Sequence, residues 1–494
     1  MNCEFEPLHR LHRPRLAERR VGLAVALYPL LATLFVGLSG VHVARAAAPA
    51  SFPLQLAPSG RYLIDAGQRP FLIKEISAWG LFQALTEAEA EEFLQCIVDR
   101  SFNAVLANLV NAHDKMTGRA DWHGVQPLSS PWDFSRTNEE YFAHVDRVLK
   151  IAERHGVLVM AAPVYLGYRD LPGEGLWDEI LSERNSVEKM RRFGLFLGGR
   201  YRDAPNLLWV AGGDNNGEGS LAPYVRAMIE AIREVDEGHY WTGHFDGSLG
   251  VNWSTDNATY RDVIDVDGEY VWTETVLGNR GPQHRSELQQ YLKGKMIVQL
   301  DQSYEHDVPH YADNENPLWR RRKMYNGLLC GCTGTSFSPG TLDNQCYYLR
   351  NWRPLMETIG MQETRRCFQL FDSRPWHELV PISDAEVIVS GRGDVASREF
   401  MGAAATPDGK CFVAYIPSGR TFEINTARLS PRPMRCRWYN PRTGDSLAIG
   451  VVGPSPRFGF ATPDDADWVL LMDDAAAVTS PPGESASSKS EAGR

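Results

Sequence analysis

Short apolar runs alternate with longer amphipathic segments eight times along residues 71–339. Each run has the length of a strand, and unbroken apolar runs are typical of strands buried on both faces of a sheet. The amphipathic segments carry helix signals, such as the capping-box spacing of Thr86 and Glu89 and the terminating Gly156. This alternation predicts an α/β fold with a parallel sheet, and eight units favour a (β/α)8 TIM barrel. The predicted strands are 71–76, 103–110, 157–164, 206–213, 240–245, 269–274, 296–301 and 333–339.

A doubly wound open sheet is the alternative to the barrel. Such sheets usually place a glycine-rich turn after the first strand, and the first predicted unit has no G-x-G-x-x-G or phosphate-loop pattern. From residue 381 onward the runs become short and alternating, separated by Pro, Gly, Asp and Asn, which predicts a small all-β sandwich. We therefore expect a barrel domain over residues 47–380, a sandwich over 381–474 and a disordered tail over 475–494, which lacks aromatic residues.

The N-terminal residues predict export. A basic segment precedes residues 21–40, which carry no charge, and Ala44-Arg45-Ala46 has the small-residue pattern of a cleavage site. We expect residues 1–46 to be a signal peptide and the mature protein to be periplasmic or extracellular. Residues 21–40 are also long enough to span a bilayer, so a membrane anchor is the alternative.

Charge content limits the partners that we expect, and cysteine content limits the disulfides and metal sites. The net charge of −11 argues against nucleic acid or an anionic membrane as the main partner. Seven cysteines follow the export segment, so at least one is not in an intramolecular disulfide. We expect Cys330 and Cys332 to lie on one face of a strand as buried apolar residues rather than metal ligands. The sequence indicates no cofactor and no metal, and it does not predict an oligomeric state.

Polar and aromatic residues follow the predicted strands, where a barrel carries its catalytic groups. Asp214 follows the fourth strand and Asp301 ends the seventh. Two carboxylates across a barrel mouth are what glycoside hydrolysis requires, since one protonates the leaving oxygen and the other attacks or activates water. A helix cap is the alternative role for Asp214. The candidate substrate-binding residues are Trp79, Asn108, His113, Tyr165, Asn215, His244, Trp272 and Tyr304.

Residues 56–472 resemble the apiosidase-like glycoside hydrolases, a bacterial family formerly called a domain of unknown function. The resemblance is carried in order by "YFAHVDRVLKIAERHGVLVMAAPV", "RYRDAPNLLWVAGGD", "KMIVQLDQSYE" and "GLLCGCTGTSFSPG". The C-terminal "WYNPRTGD" resembles the sandwich usually found beside that domain, often labelled a putative collagen-binding domain. The resemblance implies a barrel with an acid/base on strand four, a nucleophile on strand seven and retention of configuration.

Asp214, in "GGD", matches the acid/base position of the family, whereas the strand-seven position departs from it. The family usually has a Gly-Glu pair where this chain has Leu300-Asp301. Aspartate is one methylene shorter, and retention requires carboxyl groups about 5–5.5 Å apart. We expect Asp301 to be the nucleophile, with Glu305 as the second candidate, while a longer gap would allow inversion.

The N-terminal segment and the resemblance together predict an exported glycoside hydrolase that acts on a polysaccharide side chain, and the resemblance implies a furanoside as the substrate. The family often has an Asp-Thr pair after strand one, where this chain has Ile76-Ser77, so the family's sugar does not transfer directly. The alternative is a carbohydrate-binding or adhesion protein that has lost its catalytic pair on the same scaffold.

Overall fold

A computed structural model describes residues 49–111, 123–170, 173, 175–246, 251–270, 282–300, 305, 317–341, 344–345 and 348–477. The first strands form a small antiparallel sheet: β1 (Gln55–Leu56), β2 (Leu63–Ile64) and β3 (Pro70–Phe71). The strands of the parallel region follow: β4 (Ile73–Ser77), β5 (Ala104–Asn108), β6 (Leu158–Ala162), β7 (Leu207–Gly212), β8 (Trp241–His244), β9 (Asp267–Glu269), β10 (Ile297–Gln299) and β11 (Gly334–Phe337). A hairpin of β12 (Gly340–Thr341) and β13 (Asn344–Gln345) comes next.

Helices separate most of these strands, as the sequence predicts. They are α1 (Leu81–Ala84), α2 (Glu87–Val98), α3 (Glu139–Arg154), α4 (Trp177–Leu181), α5 (Val187–Tyr201), α6 (Ala222–Val235), α7 (Gln283–Tyr291), α8 (Pro317–Leu329) and α9 (Ile359–Asp372). The capping box at the start of α2 is present, because the Thr86 side chain accepts from the Glu89 amide and Glu89 accepts from the Thr86 amide. Helix α9 was not among the predicted helices.

The parallel strands form two sheets. One is six-stranded in the order β11-β4-β5-β6-β7-β8, and the other pairs β9 with β10. Alternation along the strands places Ile73, Leu106 and Val210 in one buried cluster, while Val105 and Trp209 belong to the cluster that includes the flanking helices. The α/β architecture with a curled parallel sheet is thus as predicted.

Side chains link the two sheets where strand-to-strand pairing ends. The hydroxyl of Ser254 accepts from the amides of Gly243 on β8 and Gly268 on β9 at 3.1 and 2.9 Å. The same hydroxyl lies 2.8 and 3.0 Å from the carbonyl oxygens of these two glycines. On the other side, the Thr335 hydroxyl of β11 donates to the Gln299 side chain of β10. Polar side chains therefore add to the few backbone hydrogen bonds at both junctions.

Two predictions about strands are wrong. One is the range of the sixth strand, and the other is the placement of Cys330 and Cys332 on a strand. Strand β9 is Asp267–Glu269, earlier than the predicted 269–274, and residues 271–281 lie outside the described residues. A Cβ at Gly268 would lie 2.4 Å from Leu300 Cδ1 and 2.7 Å from the Thr242 hydroxyl oxygen, so a larger residue there would displace these side chains. Cys330 follows α8 and Cys332 lies before β11, so neither is on a strand, although both are buried. The described cysteines, Cys96, Cys330, Cys332, Cys367, Cys411 and Cys436, are free thiols.

The C-terminal region is a β-sandwich, as predicted. Its strands are β14 (Val380–Pro381), β15 (Ile388–Ser390), β16 (Gly402–Ala405), β17 (Cys411–Ile416), β18 (Thr421–Ile424), β19 (Met434–Tyr439), β20 (Ser446–Val452), β21 (Phe458–Ala461) and β22 (Trp468–Asp474), with the short helix α10 (Thr426–Leu429). Antiparallel sheets β14-β16-β17-β22-β19-β20 and β15-β18-β21 enclose a core that includes Phe412, Trp438 and Phe460.

The sandwich shares a buried core with α8 and α9. Tyr325 of α8 stacks on Tyr415 of β17 with ring centroids 5.1 Å apart, and Leu329, Val413 and Leu471 belong to the same cluster. Two buried ion pairs, Arg321 with Asp467 and Arg374 with Asp473, also join the two regions. The predicted signal peptide (1–46) and most of the predicted tail lie outside the described residues. Within the described part of the chain, no helix is long and apolar enough to span a bilayer.

Candidate active site

The turn after β7 places Asp214 through three successive residues with positive φ. The φ angles are +93° at Gly212, +98° at Gly213 and +56° at Asp214. A Cβ at position 212 would lie 2.5 Å from the carbonyl oxygen of His244, so this position requires glycine. A left-handed conformation at a non-glycine residue costs about 1 kcal/mol and is found most often at functional sites. The glycines seen in the sequence therefore shape the turn that carries Asp214.

The capping interpretation of Asp214 is wrong. Helix α6 begins at Ala222 with Leu221 as its N-cap, so Asp214 lies well before its first turn. The Asp214 side chain is buried and accepts a hydrogen bond from the Tyr165 hydroxyl to Oδ2 at 2.9 Å. Its Oδ1 lies 3.5 Å from Nδ1 of His244. The carboxyl group is thus held between a phenol and an imidazole.

Aromatic rings surround this carboxyl group. The His244 ring stacks on Tyr270 with centroids 3.9 Å apart and meets the edge of Trp79 at 6.0 Å. Trp79 in turn contacts Tyr165 at 5.0 Å. The backbone amide of Asp214 donates to Nδ1 of His244 at 3.3 Å. These rings bring the ends of β4, β6, β8 and β9 together around β7.

The predicted asparagines have different surroundings. Asn108, at the end of β5, is buried, and its Nδ2 has no hydrogen-bond partner among the described residues. A buried amide without a partner is costly, so this group is suited to a ligand hydroxyl. Asn215 is engaged within the protein, since its Nδ2 donates to Asp170 at 2.7 Å and its Oδ1 accepts from the Gly217 amide at 2.8 Å. Asn215 therefore joins the turns after β6 and β7.

Two residues of this region were missed by sequence reasoning. Glu75 lies on β4 in the same alternation as Ile73, is fully buried, and accepts from the Ser77 hydroxyl at 3.1 Å. The alternation of Ile73 and Glu75 along the predicted strand 71–76 was the available signal. Tyr270 was passed over because the predicted strand ran past it to Trp272.

Glu305 contacts residues of α8 and α9. Its Oε1 accepts from the Gly360 amide, in the first turn of α9, at 2.7 Å and lies 3.9 Å from Nη2 of Arg320 on α8. Its backbone amide donates to the carbonyl oxygen of Ser338 at 3.1 Å. The predicted residues Asp301, His113, Trp272 and Tyr304 lie outside the described residues. The described residues contain no group of three or more His, Cys, Asp or Glu side chains placed to hold a metal ion.

Comparison with known families identifies the first domain. The profile described as "Apiosidase-like, catalytic domain" matches residues 57–378. The chain belongs to the apiosidase-like family of glycoside hydrolases. A second profile, "Putative collagen-binding domain of a collagenase", matches residues 382–473 of this apiosidase-like chain. The family resemblance seen in the sequence is therefore confirmed, and the enzyme class with it.

Solved structures share the fold of this apiosidase-like protein. A glycoside hydrolase superposes with a TM-score of 0.70 at 19% identity, covering 86% of this chain and 98% of its own. A glycoside hydrolase family 5 protein from Bacteroides vulgatus gives a TM-score of 0.70 at 20% identity, covering 88% and 98%. No curated protein matches the sequence. At these identities the likeness concerns the fold, while the family match indicates a carbohydrate substrate.

Proposed function

We propose that this apiosidase-like enzyme cleaves a furanoside from a polysaccharide side chain, with Asp214 as the acid/base and Asp301 as the nucleophile. The observation that carries the proposal is the placement of Asp214. A strained turn holds its carboxyl group, buried, between Tyr165 and His244 and among aromatic rings. Such rigid support by neighbouring side chains is what a catalytic group needs.

The proposed reaction has two steps. First, Asp214 transfers its carboxyl proton to the leaving glycosidic oxygen while an Asp301 oxygen bonds to the anomeric carbon, and the alcohol leaves. Second, the Asp214 carboxylate takes a proton from a water molecule whose oxygen displaces Asp301. The sugar departs with its configuration retained, and both carboxyl groups return to their starting protonation states.

The contacts of Glu305 support Asp301 as the nucleophile. Glu305 uses Oε1 to accept from the Gly360 amide at the start of α9. Leu300, just before Asp301, is buried, and its amide donates to the carbonyl oxygen of Glu269 at 2.9 Å. Because aspartate is shorter than the family's glutamate, a larger carboxyl separation with inversion is the competing outcome.

We also propose that β4 to β11 close into the predicted eight-stranded barrel. The bridging hydroxyl of Ser254 between β8 and β9 supports closure. At the other junction, the amide of Thr333 donates to the carbonyl oxygen of Ile297 at 2.8 Å, next to β10 and β11. A closed ring would bring the ends of strands four and seven to one mouth.

The surroundings of Asp214 support a sugar ligand. Trp79 and Tyr270 offer apolar ring surfaces of the kind that stack on sugar faces, and the Asn108 amide offers a donor for a hydroxyl. A binding or adhesion protein without catalysis would use the same surfaces. The ionisable Asp214, in contact with Tyr165 and His244, favours an enzyme.

Activity measurements test the proposal directly. The purified protein is assayed on aryl furanosides and on pectic and arabinan fragments, followed by Asp301→Asn and Glu305→Gln on the best substrate. We expect hydrolysis by the wild-type protein, its abolition in Asp301→Asn, and retention seen by NMR of the first-formed sugar. Loss of activity in Glu305→Gln with an active Asp301→Asn would move the nucleophile to Glu305. Binding without hydrolysis of any substrate would favour the adhesion alternative.

We further propose that the enzyme is exported by cleavage after Ala46. Expression with the native N-terminus followed by mass spectrometry should find a mature chain beginning near Ala47. An intact chain recovered from the membrane fraction would instead indicate an anchor over residues 21–40.

A further inference from the structure

We propose that Asn257 and Tyr260, in the segment that follows β8, position Asp214 for proton transfer by holding the backbone of its turn. Their side chains donate to the carbonyl oxygens of Asn216 and Gly217, the second and third residues after Asp214. Both are then positioning residues that act through the turn rather than on the substrate. This inference rests on the proposed acid/base role of Asp214 and does not depend on which residue is the nucleophile.

The turn that carries Asp214 is fixed by β8 only at its start. The amide of Gly213 donates to the carbonyl oxygen of His244 at 2.8 Å, and the amide of Asp214 donates to the His244 ring. Residues 213–218 belong to no helix or strand, and α6 begins only at Ala222. The part of the turn beyond Asp214 therefore depends on other contacts to hold its conformation.

Two buried side chains supply these contacts. Nδ2 of Asn257 donates to the carbonyl oxygen of Asn216 at 2.9 Å. The Tyr260 hydroxyl donates to the carbonyl oxygen of Gly217, and its ring stacks on Phe245 with centroids 5.6 Å apart. Asn257 and Tyr260 are both fully buried. Loss of a hydrogen bond to a buried carbonyl oxygen is costly, so these two donors favour one conformation of the turn.

The side chain of Asn216 ties the turn to the residue that faces Asp214. Oδ1 of Asn216 accepts from the amide of Asp246 at 3.0 Å. Asp246 lies two residues after His244, whose ring faces the Asp214 carboxyl group. Asn216 is thus bound through its side chain to the end of β8 and through its carbonyl oxygen to Asn257. These contacts limit the movement of Asp214 relative to His244.

The residues just before Asn257 are anchored to the parallel strands. The Ser254 hydroxyl bridges β8 and β9, and Thr255 donates from its amide and its hydroxyl to the Asp267 carboxyl group at 2.9 and 2.7 Å. A 3₁₀ helix, Ser254–Asp256, leads directly into Asn257. The support of the turn is therefore itself rigid. Such precision matters because an error of about 1 Å in the position of a reacting group can cost about 100-fold in rate.

The opposite end of β7 offers a matched control. Asn206, just before β7, is also buried, and its Nδ2 donates to the carbonyl oxygens of Leu149 and Val157 at 3.3 and 3.0 Å. Removal of either amide should destabilise the fold by similar chemistry. Only Asn257 is bonded to the turn that carries Asp214.

The experiment compares Asn257→Ala and Tyr260→Phe with the control Asn206→Ala in the full-length protein. Each variant is measured for thermal unfolding and for amide exchange of residues 212–217 by mass spectrometry. Each is also measured for kcat/KM on aryl glycosides of the sugar that the substrate screen identifies, with leaving groups from dinitrophenyl to phenyl. The leaving-group series separates loss of proton transfer from general loss of activity, because only the poor leaving group needs the proton.

We expect lower melting temperatures in both alanine variants. Asn257→Ala should lose roughly tenfold in kcat/KM on the phenyl glycoside and less than about threefold on the dinitrophenyl glycoside. Tyr260→Phe should show the same pattern to a smaller extent, and both should exchange faster at residues 212–217. Asn206→Ala should match wild type in both respects. If Asn257→Ala does not fold, Tyr260→Phe provides the same test, because it keeps the ring that stacks on Phe245.

The outcomes separate this inference from the proposed function. Equal losses on the two leaving groups in Asn257→Ala, measured below its melting temperature, would overturn the inference, since general destabilisation has no leaving-group preference. Unchanged exchange at residues 212–217 in both Asn257→Ala and Tyr260→Phe would overturn it as well. A lack of leaving-group dependence in Asp214→Asn would instead remove the proposed acid/base role, while the exchange data would still decide whether Asn257 and Tyr260 hold the turn.

Discussion

The hydroxyl of Tyr165 donates to Oδ2 of Asp214 at 2.9 Å, although the two residues follow different strands, β6 and β7. On its other side the same carboxyl group faces Nδ1 of His244, at the end of β8. Neighbouring parallel strands therefore converge on one buried acid. Its position is set by contacts from both sides, and this arrangement leads to the following expectations.

Replacement of Asp214 by asparagine keeps the shape of the side chain and removes its proton. We expect Asp214→Asn to lose roughly two to four powers of ten in kcat/KM on substrates with poor leaving groups. Aryl glycosides with activated leaving groups need less protonation, so their first step should be affected less. A wild-type rate on a natural oligosaccharide would show that the acid lies elsewhere.

Replacement of Tyr165 by phenylalanine removes one hydrogen bond to Asp214 and keeps the ring beside Trp79. We expect kcat to fall about tenfold with KM within about twofold, because the acid loses orientation while the pocket keeps its shape. Calorimetry should show little change in melting temperature. A fall in melting temperature large enough to account for the lost activity would indicate a structural role for the hydroxyl instead.

Asn108 should act in binding rather than in folding. Its Nδ2 has no partner among the described residues, so Asn108→Ala should raise KM roughly tenfold without lowering the melting temperature. Asn206 is the matched control, because it is equally buried and its Nδ2 donates to the carbonyl oxygens of Leu149 and Val157. Asn206→Ala should cost about 1–3 kcal/mol of stability and leave KM unchanged. The opposite pattern would exclude Asn108 from the substrate site.

Glu269 should make stability fall as pH rises. Complete burial, followed by the nearby Glu287, raises the pKa of Glu269 well above its ordinary value of 4.5. The folded state therefore favours the protonated form, so its contribution is full below pH 4.5 and is lost as pH rises through the raised pKa. Glu269→Gln should have a higher melting temperature than wild type at pH 8, and the difference should close towards pH 4.

Glu89 should have the opposite effect, so that stability rises as pH rises. The backbone hydrogen bond from Thr86 lowers its pKa, so its contribution is present above pH 4.5 and is lost at lower pH. Glu89→Gln should therefore be less stable than wild type at pH 8 and similar to it in acid. If the melting temperatures of Glu269→Gln and Glu89→Gln differ from wild type in the same direction at pH 8, the burial argument for Glu269 is wrong.

A chain that stops after residue 380 should fail to fold in soluble form. Removal of the sandwich exposes the apolar cluster around Tyr325 and Leu329 and leaves Arg321 and Arg374 without Asp467 and Asp473. A newly exposed apolar patch of this kind favours aggregation. Soluble expression and a cooperative melting curve for residues 47–380 would contradict this expectation.

The sequence predicts the strands of the first domain well where both faces are apolar. Strand β7 begins at Leu207, one residue after its predicted start. The prediction succeeds there because the residues from Leu207 to Ala211 are all apolar and buried. Strand β9 could not be placed in the same way. Its outward residues Asp267 and Glu269 are polar and are satisfied by Thr255, Gln290 and Gln283, which are distant in sequence. Local hydrophobicity carries no information about such partners.

Part of the candidate site could also be predicted from the sequence. Four residues of the site lie together because each lies at or just after the end of a strand that the sequence predicts. They are Asp214, Tyr165, His244 and Trp79. Glu305 follows the same rule but is directed to α9, a helix that was not predicted. Helix α9 begins at Thr358-Ile359-Gly360, and an exposed Ile359 with a glycine in the first turn gives a weak start signal.

The Ser254 hydroxyl between β8 and β9 limits the residues that this fold can accept at position 254. It can accept from both glycine amides and donate to one of the two glycine carbonyl oxygens at a time, which uses its full hydrogen-bonding capacity. Alanine there would leave two buried amides without acceptors, and a longer side chain would wedge the strands apart. Directed evolution of new substrate preferences must therefore keep a small hydroxyl residue at position 254, whichever strand-end loops it varies.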